Sequence, residues 1–137
     1  MRKALKEELL RAKGRAAGFA AALSEGKAMD RAQFDGLFRG YLCAKFMLEP
    51  AEIQTDDFYA ICQLSAEKAA RFPKGALDAA ELASKCGGAT TAMNKKVLFL
   101  MALNRELGAA ISPEEGAAVD RLSQLTELVY GRLCHGG

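Results

Sequence analysis

The residues best placed for chemistry in this 137-residue chain lie together, in Cys86-Gly87-Gly88-Ala89-Thr90-Thr91-Ala92-Met93-Asn94-Lys95-Lys96. Two glycines free the backbone ahead of a helix start, where unpaired N–H groups point outward. Two lysines then stand in the first helical turn, where they oppose the helix dipole at a cost of about 0.3–1 kcal/mol each. A feature that works against stability invites a functional question. Gly87, Gly88, Lys95 and Lys96 together could hold a phosphate, a nucleotide or another small anion. The spacing is not that of a Walker-type phosphate loop, because no Gly-Lys-Ser/Thr follows. The plainer reading is a solvated lysine pair behind a helix cap on Thr90 or Thr91.

Other chemistry is thin. The single histidine, His135, stands beside Cys134 in a Gly-rich tail, so no serine–histidine–aspartate set can be built. Cys134 and His135 are adjacent, and neighbours on a helix point apart. Asp56-Asp57 and Glu114-Glu115 sit at helix starts, where carboxylates favour the dipole and need no catalytic role. Cys43, Cys62, Cys86 and Cys134 are scattered without any Cys-x-x-Cys. One histidine and four scattered cysteines do not make a zinc site of usual spacing. No metal, no catalytic residue and no enzyme activity are expected.

These residues must be positioned by helices. Half of the chain is apolar and the net charge is only +2, which suits one compact domain and argues against nucleic acid as a partner. The charge is uneven, with six Lys/Arg against two Glu in residues 1–15. That basic end reads as a solvated helix end rather than a membrane-binding one. Ala16–Leu23 is too short and too rich in alanine for a signal peptide, and no segment reaches the length of a membrane span. The expectation is a cytoplasmic protein with four free thiols. No stretch alternates long enough to be a strand, so the fold class expected is all-α.

Taken in order, Leu5, Leu9, Ala12, Ala16, Phe19 and Leu23 share one face of a first helix, closed by Ser24–Lys27. Gly14 and Gly18 weaken it by about 1 kcal/mol each relative to alanine. Asp30 caps a second helix running to about Leu48, with Phe34, Leu37, Phe38, Tyr41 and Lys45 on one side and Glu49-Pro50 as its stop. Its aromatics, at helical spacing, read as core. Thr55 or Asp56 starts a third helix through Phe72. Residues 76–90 connect it to a central helix, Ala92–Leu107, closed by Gly108 as a left-handed residue. From Val97 to Leu103 that helix is apolar almost all round, which requires cover on every side. Ser112-Pro113-Glu114-Glu115 is a capping box with proline at the first helical position, opening a short helix that ends near Leu122. Ser123 caps the last helix, which carries Leu125, Leu128, Val129 and Leu133.

From Thr55 to Leu133 this order of elements resembles an acyl carrier protein. The family has a helix, a long loop, a Gly-rich turn ending in Asp-Ser-Leu, a central helix, a short helix and a last one. Leu100-Met101-Ala102-Leu103-Asn104-Arg105-Glu106-Leu107-Gly108, leading to Ile111, is similar to the family's Leu-x-x-x-Leu-Glu-x-x-Phe-Gly and the buried Ile after it. Ala118–Val129 resembles its third helix and the opening of its fourth. The same Glu-Leu-Gly…Ser-Pro-Glu-Glu stretch is faintly similar to tellurite-resistance-type helical domains, but their acidic metal-ligand pattern is missing. The carrier resemblance implies a four-helix bundle over residues 51–137. Residues 1–50 would then be a helical extension of two added helices packed on that bundle, covering its acyl-chain face or making a homodimer contact.

The resemblance stops at the chemistry. The family works through a phosphopantetheine arm on the serine of Asp-Ser-Leu. Counting back from Leu107-Gly108, that serine falls on Met93, which has no hydroxyl. Aligning Gly88-Ala89 with the family's Gly-Ala instead places Thr91 there, without a preceding Asp. Carrier proteins also offer carboxylates at this helix start, where this chain has Asn94-Lys95-Lys96. The expectation is therefore a non-catalytic, acyl carrier protein-like interaction module without a cofactor, whose protein partner would be an acyl-activating or synthase enzyme. The alternatives are an atypical acyl or peptidyl carrier, bearing phosphopantetheine on Thr91, and a small-anion or nucleotide-binding protein using Gly87 to Lys96.

Overall fold

The protein was described from a computed structural model, covering residues 2–25, 29–70 and 91–134, without the side chains of residues 2–6, 9, 25 and 134. The fold is all-α. Among the described residues there are six α-helices and no strand: α1 (Arg2–Glu25), α2 (Arg31–Phe46), α3 (Phe58–Ala70), α4 (Ala92–Ala102), α5 (Pro113–Ala117) and α6 (Leu122–Cys134). None of them is long and apolar enough to cross a membrane.

α1 and α2 pack as a hairpin. Ala12, Ala16, Ala20 and Leu23 are buried along α1, on the face that the spacing indicates, and Phe19 is half-buried. The small residues let the helices approach closely. A Cβ on Gly40 of α2 would lie 2.5 Å from Cζ of Phe19, whereas one on Gly36, a turn earlier, would meet nothing within 4 Å. Gly40→Ala should therefore destabilise the fold by about 1–3 kcal/mol through overpacking. Gly36→Ala should stabilise it by roughly 0.5–1 kcal/mol through helix propensity. Opposite shifts of the two thermal midpoints in a melting experiment would bear this out. Equal shifts would contradict the close approach.

Asp30 caps α2 as expected, accepting a hydrogen bond from the Gln33 N–H at 2.8 Å. The helix ends at Phe46, earlier than Leu48, because Met47 takes a left-handed conformation (φ 57°). Its N–H bonds back to Cys43, as does that of Leu48. Pro50–Glu52 forms a 3-10 turn after the helix has stopped.

The cap of α3 is Asp57, not Thr55 or Asp56. Asp57 Oδ1 accepts from the Ala60 N–H at 3.2 Å. Asp56 instead caps α6 from across the fold, accepting from the Ser123 N–H at 2.9 Å and from its hydroxyl at 2.5 Å. Ser123 is thus a donor rather than the cap, and α6 begins one residue before it, at Leu122. The Gln124 side chain accepts from the Asp120 and Arg121 N–H groups, both at 2.9 Å. Backbone bonds from Phe58 to Asp120 (3.0 Å) and from Leu122 to Asp56 (2.8 Å) bring the starts of α3 and α6 side by side. The predicted end of α3 at Phe72 and the connection 76–90 lie outside the described residues.

One core joins these elements. The Phe99 ring of α4 meets Phe46 at 5.1 Å, Tyr41 at 5.7 Å, Phe58 at 6.1 Å and Phe38 at 6.2 Å between centroids. At the α2–α6 contact Tyr130 meets Phe34 edge-on at 5.0 Å. Residues before and after Pro50 both contribute to this core. Cys43 and Cys62 are both buried within it. Burial pushes the Cys43 thiol above its ordinary value.

Candidate functional site

The central helix does not have cover on every side. Met93, Val97 and Met101 stand at successive four-residue steps on one face of α4 and are 57%, 46% and 51% exposed. The expectation that Val97–Leu103 is surrounded is corrected here. Phe99, Ala102 and Leu103 turn into the core, while Val97 and Met101 face outward. Among the described residues the element beside this face is α5, whose five residues are too few to close over it. A groove of about 390 Å³ is left between α4 and α5, with Met93, Val97, Leu100 and Met101 on one wall and Ile111, Pro113 and Gly116 on the other.

The polar residues on these walls are already engaged. Lys96 lays its stem along the groove and donates from Nζ to the Val119 carbonyl at 2.9 Å. Asn104 donates from Nδ2 to the Ile111 carbonyl (2.9 Å) and accepts from the Ile111 N–H (2.7 Å). Ser112 caps α5, accepting from the Glu115 N–H, while Glu115 accepts from the Ser112 N–H, both at 3.1 Å. That is the capping box expected from the residues, and it holds the Glu115 carboxyl below the ordinary range. What remains for a ligand is apolar surface, much of it flexible methionine.

Below the groove α4 widens into a π-helical turn, Leu103–Leu107, and Gly108 closes it in the left-handed conformation (φ 68°). The glycine was expected there; the wide turn was not. The turn carries Glu106, which accepts from the Tyr41 hydroxyl at 2.8 Å and from Lys45 Nζ at 2.7 Å. Arg105 adds a contact at 3.1 Å. Desolvation pushes the Glu106 carboxyl up, but Lys45 and Tyr41 outweigh it and hold it below the ordinary range. Lys45 therefore sits on the apolar side of α2 because its charge is paired across 61 residues of sequence.

The residues proposed for anion binding are not brought together as a cationic pair. Lys95 is fully buried, its ammonium 5.9 Å from the Phe46 ring centroid, while Lys96 points to Val119. Gly87 and Gly88 lie outside the described residues, as do Cys86 and His135. Thr91 is the N-cap of α4, its hydroxyl accepting from the Asn94 N–H at 3.1 Å. It is exposed and stands two residues before Met93 at the head of the groove. Among the described residues no group of His, Cys, Asp and Glu could hold a metal ion.

Neither the groove face nor the Glu106 cluster was found from the residues, although each left a signal. A helix apolar beyond a stripe of about 100° has surface to spare for a second contact. A lysine on an apolar helix face signals a buried carboxylate elsewhere. No protein-family model, curated protein or solved structure matches the chain.

Proposed function

We propose that this protein is a non-catalytic, acyl carrier protein-like binding module whose α4–α5 groove receives an apolar element of a protein partner. The observation that carries this reading is the exposed stripe Met93–Val97–Met101 beside a groove whose polar wall residues are all engaged. An apolar, concave surface with satisfied polar groups favours binding of apolar groups over polar chemistry. The order of α3, α4, α5 and α6 supports the carrier-like bundle, with α1 and α2 as its two added helices. Met93 at the attachment position supports the loss of the phosphopantetheine site. Acyl-activating or synthase enzymes are the partners this reading favours.

A second reading, an atypical carrier modified on Thr91, is favoured by the exposure of that residue just ahead of the groove. Intact mass after incubation with coenzyme A and a phosphopantetheinyl transferase separates the two. The interaction module keeps its mass unchanged. A gain of one phosphopantetheine, abolished in Thr91→Ala, would replace it with the carrier.

A further inference from the structure

We infer that α5 is a swinging wall of this groove, a lid at its edge that flanks it without covering it, hinged at Gly108–Ala110 and latched by Arg132 of α6. The inference rests on the groove being the binding face, and supplies its means of opening. Only one α5 residue, Gly116, is buried. It packs closely on α4, since a Cβ there would lie 2.7 Å from Cδ1 of Leu100. The absent side chain is what lets α5 settle against α4. A segment held by so little apolar burial belongs to the low-stability end of a fold.

Apart from Ile111 and Val119, buried on either side of it, what holds α5 in place is polar. Arg132 pairs with the Glu115 carboxylate and donates to the Ala110 carbonyl at 2.7 Å. Its side chain is 34% exposed, so water competes for both contacts. The second acceptor is the informative one. Ala110 is a non-glycine residue in the left-handed region (φ 53°), two positions after Gly108 at φ 68°. A left-handed alanine persists only where its surroundings impose that conformation. One guanidinium therefore grips both the lid, through Glu115, and the strained hinge, through Ala110. At the other end Val119 is buried and its carbonyl is held by Lys96, which makes it the pivot. Release of Arg132 lets Ala110 relax and α5 swing outward, widening the groove along Leu100 and Ile111. The Asn104–Ile111 clamp limits that swing, because it ties the loop to the π-helical turn.

Hydrogen exchange of the whole protein tests the lid. Arg132→Met keeps the apolar stem and loses the latch. Glu115→Gln keeps the capping-box acceptor and loses only the charge pair, so it reads the latch even if Arg132→Met fails to fold. In both, the amides of Glu115, Gly116 and Ala118, whose bonds lie within α5, should exchange about tenfold faster, because so short a helix frays once one charged contact that holds it is lost. Those of α2 and α3 should be unchanged. No acceleration in α5, or acceleration shared by α2 and α3, would overturn the lid. Binding of a fluorescent anilinonaphthalene sulfonate dye, lost in Val97→Glu, reads the groove separately. Dye binding with unchanged exchange removes the lid and leaves the groove, and faster α5 exchange without dye binding does the reverse.

Discussion

Replacing Phe99 by alanine should cost about 3–5 kcal/mol of folding stability, the range for truncating a buried aromatic. Its ring is fully buried and touches rings from two other helices, with Phe38, Tyr41 and Phe46 on α2 and Phe58 on α3. Ring pairs at these separations add to the area they bury. The void left by alanine would be walled by four stiff rings, which cannot collapse into it as flexible side chains would. Since domains are stable by only about 5–15 kcal/mol, the variant should melt far below the wild type or fail to accumulate. Phe99→Leu keeps much of the volume and should fall between the two. Denaturant unfolding of the three proteins checks the order. A Phe99→Ala midpoint within error of the wild type would contradict the shared core.

The second large effect belongs to Glu106. Glu106→Gln keeps the shape but sets an amide against the buried Lys45 ammonium, leaving a charge without its counter-ion. Breaking a buried pair costs about 3–5 kcal/mol when burial is complete. Glu106 retains 25% exposure, so a loss of about 2–3 kcal/mol is expected. The pH dependence follows from the depressed carboxyl. Its folded value lies below its unfolded one, so in acid the unfolded chain takes up the proton first. The stabilisation is complete above the unfolded value and disappears as pH falls through the folded one. Stability curves of wild type and Glu106→Gln should therefore lie farthest apart near neutral pH and converge in acid. Curves that stay parallel would show that Glu106 acts through shape and not through charge. Glu52, held down by the Glu49 N–H and Lys68, adds acid sensitivity of the same sign to both proteins.

Features with local causes were legible in the sequence. The buried face of α1, the Asp30 cap, the Ser112–Glu115 capping box, the left-handed Gly108 and the capping role of Thr91 each depend on residues within one or two turns. Features with distant causes were not. Asp56 looks like a cap for the helix that follows it, yet its carboxylate serves Ser123, 67 residues away. Lys45 reads as a flaw in an apolar face until Glu106 is placed beside it. Apolar residues all round α4 imply cover, but which side lacks it depends on α5 being short and tied at its ends. The candidate site was therefore legible as a helix and not as a groove. In the sequence Lys95 and Lys96 stand out as charges at a helix start, yet their side chains turn to the core and to Val119, and nothing near Met93 in the chain marks it as part of a groove.

The most direct test of the binding-module reading is a calorimetric titration with an acyl-activating or synthase enzyme, the class of partner that the reading favours. Wild type, Val97→Glu and Tyr59→Glu should be compared. Tyr59 is as exposed as the groove residues, at 52%, but lies on α3 and outside the groove. A charge in the middle of an apolar contact should weaken binding by about tenfold or more. The groove reading predicts that Val97→Glu loses the partner to this extent while Tyr59→Glu binds as the wild type does. Equal affinity of Val97→Glu and wild type would contradict it.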